Sequence, residues 1–139
     1  MAAYSGKPVV QKLGIKPGFR IFTVGAPAAY RDIVGKLPAQ ATVVTRLGAA
    51  IDMIHLFATA AAELGSRLGV YHDAIKPDGM IWVSWPKKSS GVPTDLTDQV
   101  VRATGLRHGL VDIKVCAIDE TWSGLKFVIP GDQRAKRPK

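Results

Sequence analysis

The segment Ile75–Gly91, IKPDGMIWVSWPKKSSG, constrains the fold of this chain more than any other stretch. It reads as a helix end, a tight turn, a buried strand and a basic loop in immediate succession. Pro77 and Gly79 around Asp78 supply turn chemistry. The nearly continuous apolar run Met80–Trp85 suits a strand covered on both faces, as in a parallel sheet. The loop that follows then leaves the carboxyl edge of that sheet, where open α/β folds bind their ligands. Lys87, Lys88, Ser89, Ser90 and Gly91 are therefore the first candidate ligand-binding residues.

The rest of the chain extends the same pattern without an internal repeat or a domain linker. Phe19–Val24 is a first strand rich in β-formers, Gly25-Ala26-Pro27 breaks it, and a helix is expected from Pro27 to about Gly35. Ala41–Thr45 is a second short strand and Ile51–Phe57 a third. From Ala60 to Lys76, Leu64, Leu68, Tyr71 and Ile75 form the stripe of an amphipathic helix. After the strand Met80–Trp85, a helix is expected from about Leu96 to Arg102 or beyond. Thr94 or Asp95 is available as its N-cap, Leu96, Val100 and Ala103 share one face, and Gly105 stops it. Val111–Ile118 and Leu125–Ile129 are two closing strands joined by Asp119–Gly124 as a hairpin. Strands alternating with helices predict one α/β domain, a mostly parallel open sheet of about six strands with helices on both faces and a C-terminal antiparallel hairpin.

At 139 residues the chain suits a single domain, with residues 1–131 forming it, 1–18 as a lead-in and 132–139 as a basic tail expected to be disordered. No apolar run approaches the ~18 residues of a membrane-spanning helix, and the first residues lack the apolar core of a secretory signal. A cytoplasmic protein with no membrane partner is the expectation. Cys116 stands alone inside an apolar run, which favours a buried structural thiol over a metal ligand. The net charge of +8 invites a nucleic-acid partner. Its distribution weakens that reading, since Arg134, Lys136, Arg137 and Lys139 lie in the tail and Lys7, Lys12 and Lys16 are spread through the lead-in.

A parallel sheet closed by a helix, a strand and a returning antiparallel strand resembles the Rossmann-like S-adenosylmethionine-dependent methyltransferases, over roughly Phe19 to Ile129. Lys16-Pro17-Gly18, Ile51-Asp52-Met53-Ile54 and Leu64 to Trp85 carry the likeness, with one family strand and its flanking helices missing between Thr45 and Ile51. The whole chain also resembles a bacterial domain-of-unknown-function family of short proteins. The marks are Tyr4-Ser5-Gly6-Lys7, Trp82–Lys88, Thr94-Asp95-Leu96-Thr97, Lys114-Val115-Cys116-Ala117 and Asp119–Leu125. The first resemblance implies S-adenosylmethionine as a candidate cofactor near Gly25. The departures argue against it: the turn after the first strand has one glycine, no acid and a proline. Arg46 stands where the family places a ribose-binding acid, and an arginine cannot accept a hydrogen bond. No resident cofactor is expected on that ground.

In this topology Gly25, Arg46, Thr59 and Lys87 leave their strands on one side, and the loop Asp119–Gly124 returns there. A cationic loop with small residues leading toward a capped helix has the ingredients of an anion site. It lacks Walker A spacing, which excludes a nucleotide-hydrolysing P-loop. Arg46, Lys87 and Lys88 would face Asp119 and Glu120, which could serve as acid and base or remain solvated. Trp122 could stack on a base or cover the end of the sheet. Trp82 is expected in the core and Trp85 at the rim of the cleft. His55 reads as a core histidine rather than a catalytic one. No histidine pair has metal-ligand spacing. The leading expectation is a non-catalytic protein that binds a small anionic ligand or nucleic acid. The alternatives are a small methyltransferase with an atypical cofactor site and a structural or regulatory subunit of unknown partner.

Overall fold

The computed structural model describes residues 8–48 and 50–131. The first residues of the lead-in and the basic tail lie outside them. Four α-helices and six strands follow in the order α1 (Val9–Leu13), β1 (Arg20–Val24), α2 (Tyr30–Val34), β2 (Thr42–Val44), β3 (Ile51–Phe57), α3 (Ala61–Ala74), β4 (Ile75–Pro86), α4 (Asp98–Arg107), β5 (Val111–Ala117) and β6 (Trp122–Val128). The strands form one sheet in the order β2-β1-β3-β4-β6-β5. β2, β1, β3 and β4 are parallel, whereas β6 runs antiparallel to β4 and β5. The single α/β domain and the C-terminal antiparallel hairpin are as the alternation of elements predicts.

Alternation along the central strands divides the core into two layers. Met53 and Phe57 of β3 and Met80 and Trp82 of β4 pack with Leu13, Tyr30 and Val34 from α1 and α2. Ile54, Leu56, Ile81 and Val83 pack on the other side with Leu64, Leu68 and Tyr71 of α3 and Val101 of α4. Trp82 and Trp85 fall into opposite layers. Trp82 is fully buried and its indole N–H donates to the Leu13 carbonyl at 2.9 Å. Trp85 is also buried, within the α3 and α4 layer rather than at a rim, because its position on β4 faces that layer.

Several elements depart from expectation for identifiable reasons. The lead-in contains a helix, α1, whose Leu13 is buried beneath Trp82. Pro27 does not open α2; its carbonyl accepts from Tyr30 N, and the helix is a single turn beginning three residues later. The segment Lys76–Gly79 is not a free turn but a bulge inside β4, since Ile75 pairs with Ile51 and Met80 with Met53. That bulge is held by an ion pair of 2.9 Å between Lys76 Nζ and Asp52 Oδ1. Gly105 does not stop α4, which ends past it at Arg107; it is buried inside the helix beneath the ring of Phe127. Val101 and Thr104 are the buried side chains of that helix, whereas Ala103 is exposed. β6 begins at Trp122 rather than Leu125, so the residues joining the hairpin strands are 118–121.

Candidate ligand-binding edge

The four parallel strands run toward one edge, ending progressively later from β2 to β4, and the loops after them carry most of the candidate residues. Gly25 follows β1 with φ 67°, and an ideal Cβ there would lie 2.8 Å from the Phe57 carbonyl oxygen at the end of β3. Glycine is therefore required by the approach of two strand ends to one another. Arg46 follows β2 and is exposed. Three strand spacings, about 14 Å, separate β2 from β4 in the order β2-β1-β3-β4, and Lys87 lies further beyond the row Val44-Phe22-Ile54-Ile81 than Arg46 does. Arg46 and Lys87 therefore stand on the same edge of the sheet without being neighbours.

The loop after β4 is built to hold its shape. Lys88–Ser90 form a 3-10 turn closed by Gly91 at φ 75°. Ser90 Oγ donates to the Lys87 carbonyl at 2.7 Å and accepts from Val92 N at 3.2 Å. Lys87 N donates to the Thr121 carbonyl at 2.8 Å, which fastens the start of the loop to the hairpin. At its far end Thr94 Oγ1 donates to the Thr59 carbonyl at 2.6 Å and accepts from Leu96 N at 3.0 Å. Asp95 Oδ1 accepts from Ala61 N at 2.8 Å and so caps α3, whose own N-cap residue, Ala60, offers no side-chain acceptor. Thr94 and Asp95 thus do not cap α4. Thr97 does, its hydroxyl accepting from Val100 N at 3.2 Å. Lys88 and Ser89 are left exposed on this anchored loop.

The hairpin residues come to the same edge, with Pro86 of β4 paired to Trp122 of β6. Asp119 Oδ1 accepts from the backbone N–H groups of Thr121 and Trp122, at 2.9 and 2.8 Å, so this oxygen shapes the turn. Glu120 is exposed beside it. Trp122 is half-buried and meets Phe57 edge to face, with ring centroids 5.0 Å apart. It therefore covers the end of the sheet next to the lysine loop.

Beneath this edge lies a polar core that the order of residues along the chain does not announce. His55 is fully buried and stacks on Phe57 at 4.3 Å. Its Nδ1 is 3.0 Å from Tyr30 Oη and its Nε2 2.7 Å from Ser84 Oγ. A neutral imidazole has one N–H and one lone pair, so one hydroxyl accepts and the other donates. Burial pushes the His55 pKa down to about 3 and the Tyr30 phenol well above its ordinary value. His55 is thus the satisfied core histidine that its apolar neighbours predict. Ser84 and Tyr30 were not singled out from the sequence. The only signal was a lone serine inside the apolar run of β4.

The remaining candidates lie elsewhere. His72 Nδ1 contacts its neighbour Asp73 at 2.9 Å, and His108 Nδ1 donates to the Thr104 carbonyl at 3.0 Å. Among the described residues no group of His, Cys, Asp and Glu has the makings of a metal site. Cys116 is half-buried rather than fully buried, and burial raises its thiol pKa. A groove of about 540 Å³ lies by the amino end of β2, lined by Val10, Ile15, Leu37 and Pro38 among others, far from the lysine loop.

No family model and no curated protein matches the chain. Solved structures do. A SAM-dependent methyltransferase from Aquifex aeolicus superimposes with a TM-score of 0.65 at 14% identity, covering 92% of this chain and 91% of that one. Magnesium protoporphyrin IX methyltransferase from Synechocystis PCC 6803 with bound SAM gives 0.57 at 9% identity, covering 88% and 74%. Fibrillarin from Aeropyrum pernix, in complex with natively bound S-adenosyl-L-methionine, gives 0.56 at 12% identity, covering 86% and 73%. The fold is a methyltransferase-like Rossmann fold. Arg46, exposed after β2, offers only hydrogen-bond donors to whatever meets it there.

Proposed function

We propose that this chain is a non-catalytic, cytoplasmic binding protein of the short bacterial family it resembles, built on a reduced methyltransferase-like fold. It recognises a nucleotide or another phosphate-bearing anion at the carboxyl edge of the sheet. Lys87 and Lys88 supply the charge, and Ser89, Ser90 and Gly91 the small-residue surface beside it. Trp122 borders the site. Arg46 engages the far end of an elongated ligand. The observation that carries this reading is the anchoring of the lysine loop at both ends, from Lys87 N to the Thr121 carbonyl and from Thr94 and Asp95 to the β3–α3 connection. A loop already ordered loses less conformational entropy on binding than one that must be immobilised by its ligand.

The test is an equilibrium titration of the full chain with adenosine monophosphate, for the wild type and for a Lys87→Ala, Lys88→Ala variant. Saturable binding that is lost in a normally folded variant supports the reading. No binding to the wild type, or equal binding by both proteins, overturns it.

A second reading, a small S-adenosylmethionine-dependent methyltransferase with an atypical cofactor site, is favoured by the breadth of the structural likeness, which includes proteins solved with that cofactor bound. In that case Asp119 or Glu120 would contact the cofactor or act as base. Retention of S-adenosylhomocysteine by the purified protein would favour it.

A further inference from the structure

Lys114 of β5 and Lys126 of β6 stand directly opposite one another across the hairpin. Like charges in that relationship repel and destabilise a sheet. Among the described residues, no carboxylate forms an ion pair with either of them or with Lys16. A further lysine reaches the same face from the other end of the chain. Lys12 Nζ donates to the Ala117 carbonyl at 3.1 Å, and Lys114 Nζ donates to the Lys12 carbonyl at 3.0 Å, so α1 is fastened across the hairpin. Lys126 is half-buried, and its Nζ lies 3.5 Å from the place that a Gly14 Cβ would take. Gly14, at φ 78°, is the left-handed C-cap of α1. Burial holds the Lys126 pKa below the usual lysine range, and Lys114 and Lys16 press in the same direction. The Lys114 and Lys126 ammoniums both end beside the C-terminal end of α1, one on the Lys12 carbonyl and the other next to Gly14.

This cluster is separate from the lysine loop. Lys126 pairs with Trp82 in the middle of β4, whereas Lys87 follows the end of that strand. A concentration of positive charge that pays for partial burial and for mutual repulsion is relieved by a compact, multiply charged anion. Lysine ammoniums act as point charges toward phosphate oxygens and need no planar fork. We propose that the α1 face of the β5–β6 hairpin is a second anion site, formed by Lys16, Lys114 and Lys126 on a platform held by Lys12, and that it takes a group of two or three linked phosphates. The group can belong to a free inorganic oligophosphate or to a nucleoside diphosphate.

Isothermal titration of the full chain with inorganic tripolyphosphate, and separately with adenosine diphosphate, tests it. Three proteins are compared: wild type, Lys114→Gln with Lys126→Gln, and Lys87→Ala with Lys88→Ala. The wild type should bind tripolyphosphate saturably. The hairpin variant should lose about tenfold or more in affinity, the scale of one or two charge-assisted hydrogen bonds. The loop variant should keep the saturable tripolyphosphate binding that the hairpin variant loses, whatever weaker binding it gives up at the carboxyl edge, so the two sites fail or stand independently. Dependence of adenosine diphosphate binding on the same pair of lysines identifies the nucleotide as a further source of the group. The hairpin variant should fold, since it removes a like-charge pair, and a Lys16→Gln variant gives a second reading at an exposed position. Absence of saturable tripolyphosphate binding, equal losses in the hairpin and loop variants, or binding confined to oligonucleotides would overturn the proposal.

Discussion

His55 Nε2 lies 2.7 Å from Ser84 Oγ, between two strands and out of reach of water. The bond ties β3 to β4 on the face that α2 covers, and it is satisfied only while the imidazole is neutral or both hydroxyls accept. Because burial lowers the folded-state pKa from 6.5 to about 3, the unfolded chain binds the proton first as pH falls. The contribution of neutral His55 is complete above pH 6.5 and is lost as pH falls toward 3. Between pH 7 and pH 4.5 the wild type should lose about 2.5 kcal/mol more than a His55→Gln variant. Denaturant unfolding at the two pH values measures this, and parallel losses in both proteins would contradict it.

Gly105 is a packing glycine. An ideal Cβ there would collide with Cε1 and Cζ of the Phe127 ring, which has no free side because Phe127 is fully buried. Gly105→Ala gains helix propensity of about 1 kcal/mol but forces the ring or α4 to move, at about 1–3 kcal/mol. The net effect should be destabilisation, seen as a lower midpoint in thermal unfolding.

Asp95 caps a helix that begins 34 residues earlier. Asp95→Ala should cost about 0.5–2 kcal/mol, the usual value of a lost N-cap. It should also release one end of the lysine loop. Hydrogen exchange at Ala61 and across residues 87–95 should accelerate together; acceleration at Ala61 alone would show that Thr94 holds the loop without help.

Gly25→Ala combines a positive φ with a contact of 2.8 Å to the Phe57 carbonyl. A loss of about 1–3 kcal/mol is expected from strain and crowding together. The same substitution at Gly18, which also has positive φ but no heavy atom within 4 Å of an added Cβ, should cost less.

Much of this architecture is legible in the chain because its signals are local. β3 occupies Ile51–Phe57 as its apolar run predicts, and Leu64, Leu68 and Tyr71 bury the stripe of α3. Misreadings arise where a local signal is overruled by a distant partner. Pro77 to Gly79 carry turn chemistry, yet pairing of Ile75 with Ile51 absorbs them into β4. Thr94 and Asp95 have the residue types of an N-cap, yet their partners are Thr59 and Ala61. Gly105 has the residue type of a helix stop, yet it makes room for Phe127. The candidate edge was legible as a place, since the loop follows a buried strand. Its anchoring was not, because Lys87 and Thr121 are far apart in sequence. The hairpin lysines were still less visible: Lys12 and Lys114 are separated by 102 positions, and only the fold makes them neighbours.

Thermal unfolding at fixed salt, with excess adenosine monophosphate and separately with excess S-adenosylhomocysteine, tests the central claim most directly. The single phosphate of the first ligand addresses the carboxyl edge rather than the lysine cluster of the hairpin. A ligand at a hundredfold its dissociation constant stabilises the folded chain by about 2.7 kcal/mol, worth several degrees in midpoint for a domain of this size. The account predicts such a rise for the wild type with adenosine monophosphate, none for the Lys87→Ala, Lys88→Ala variant, and none for either protein with S-adenosylhomocysteine. A rise with S-adenosylhomocysteine alone would contradict it and make methyl transfer the better reading of this edge.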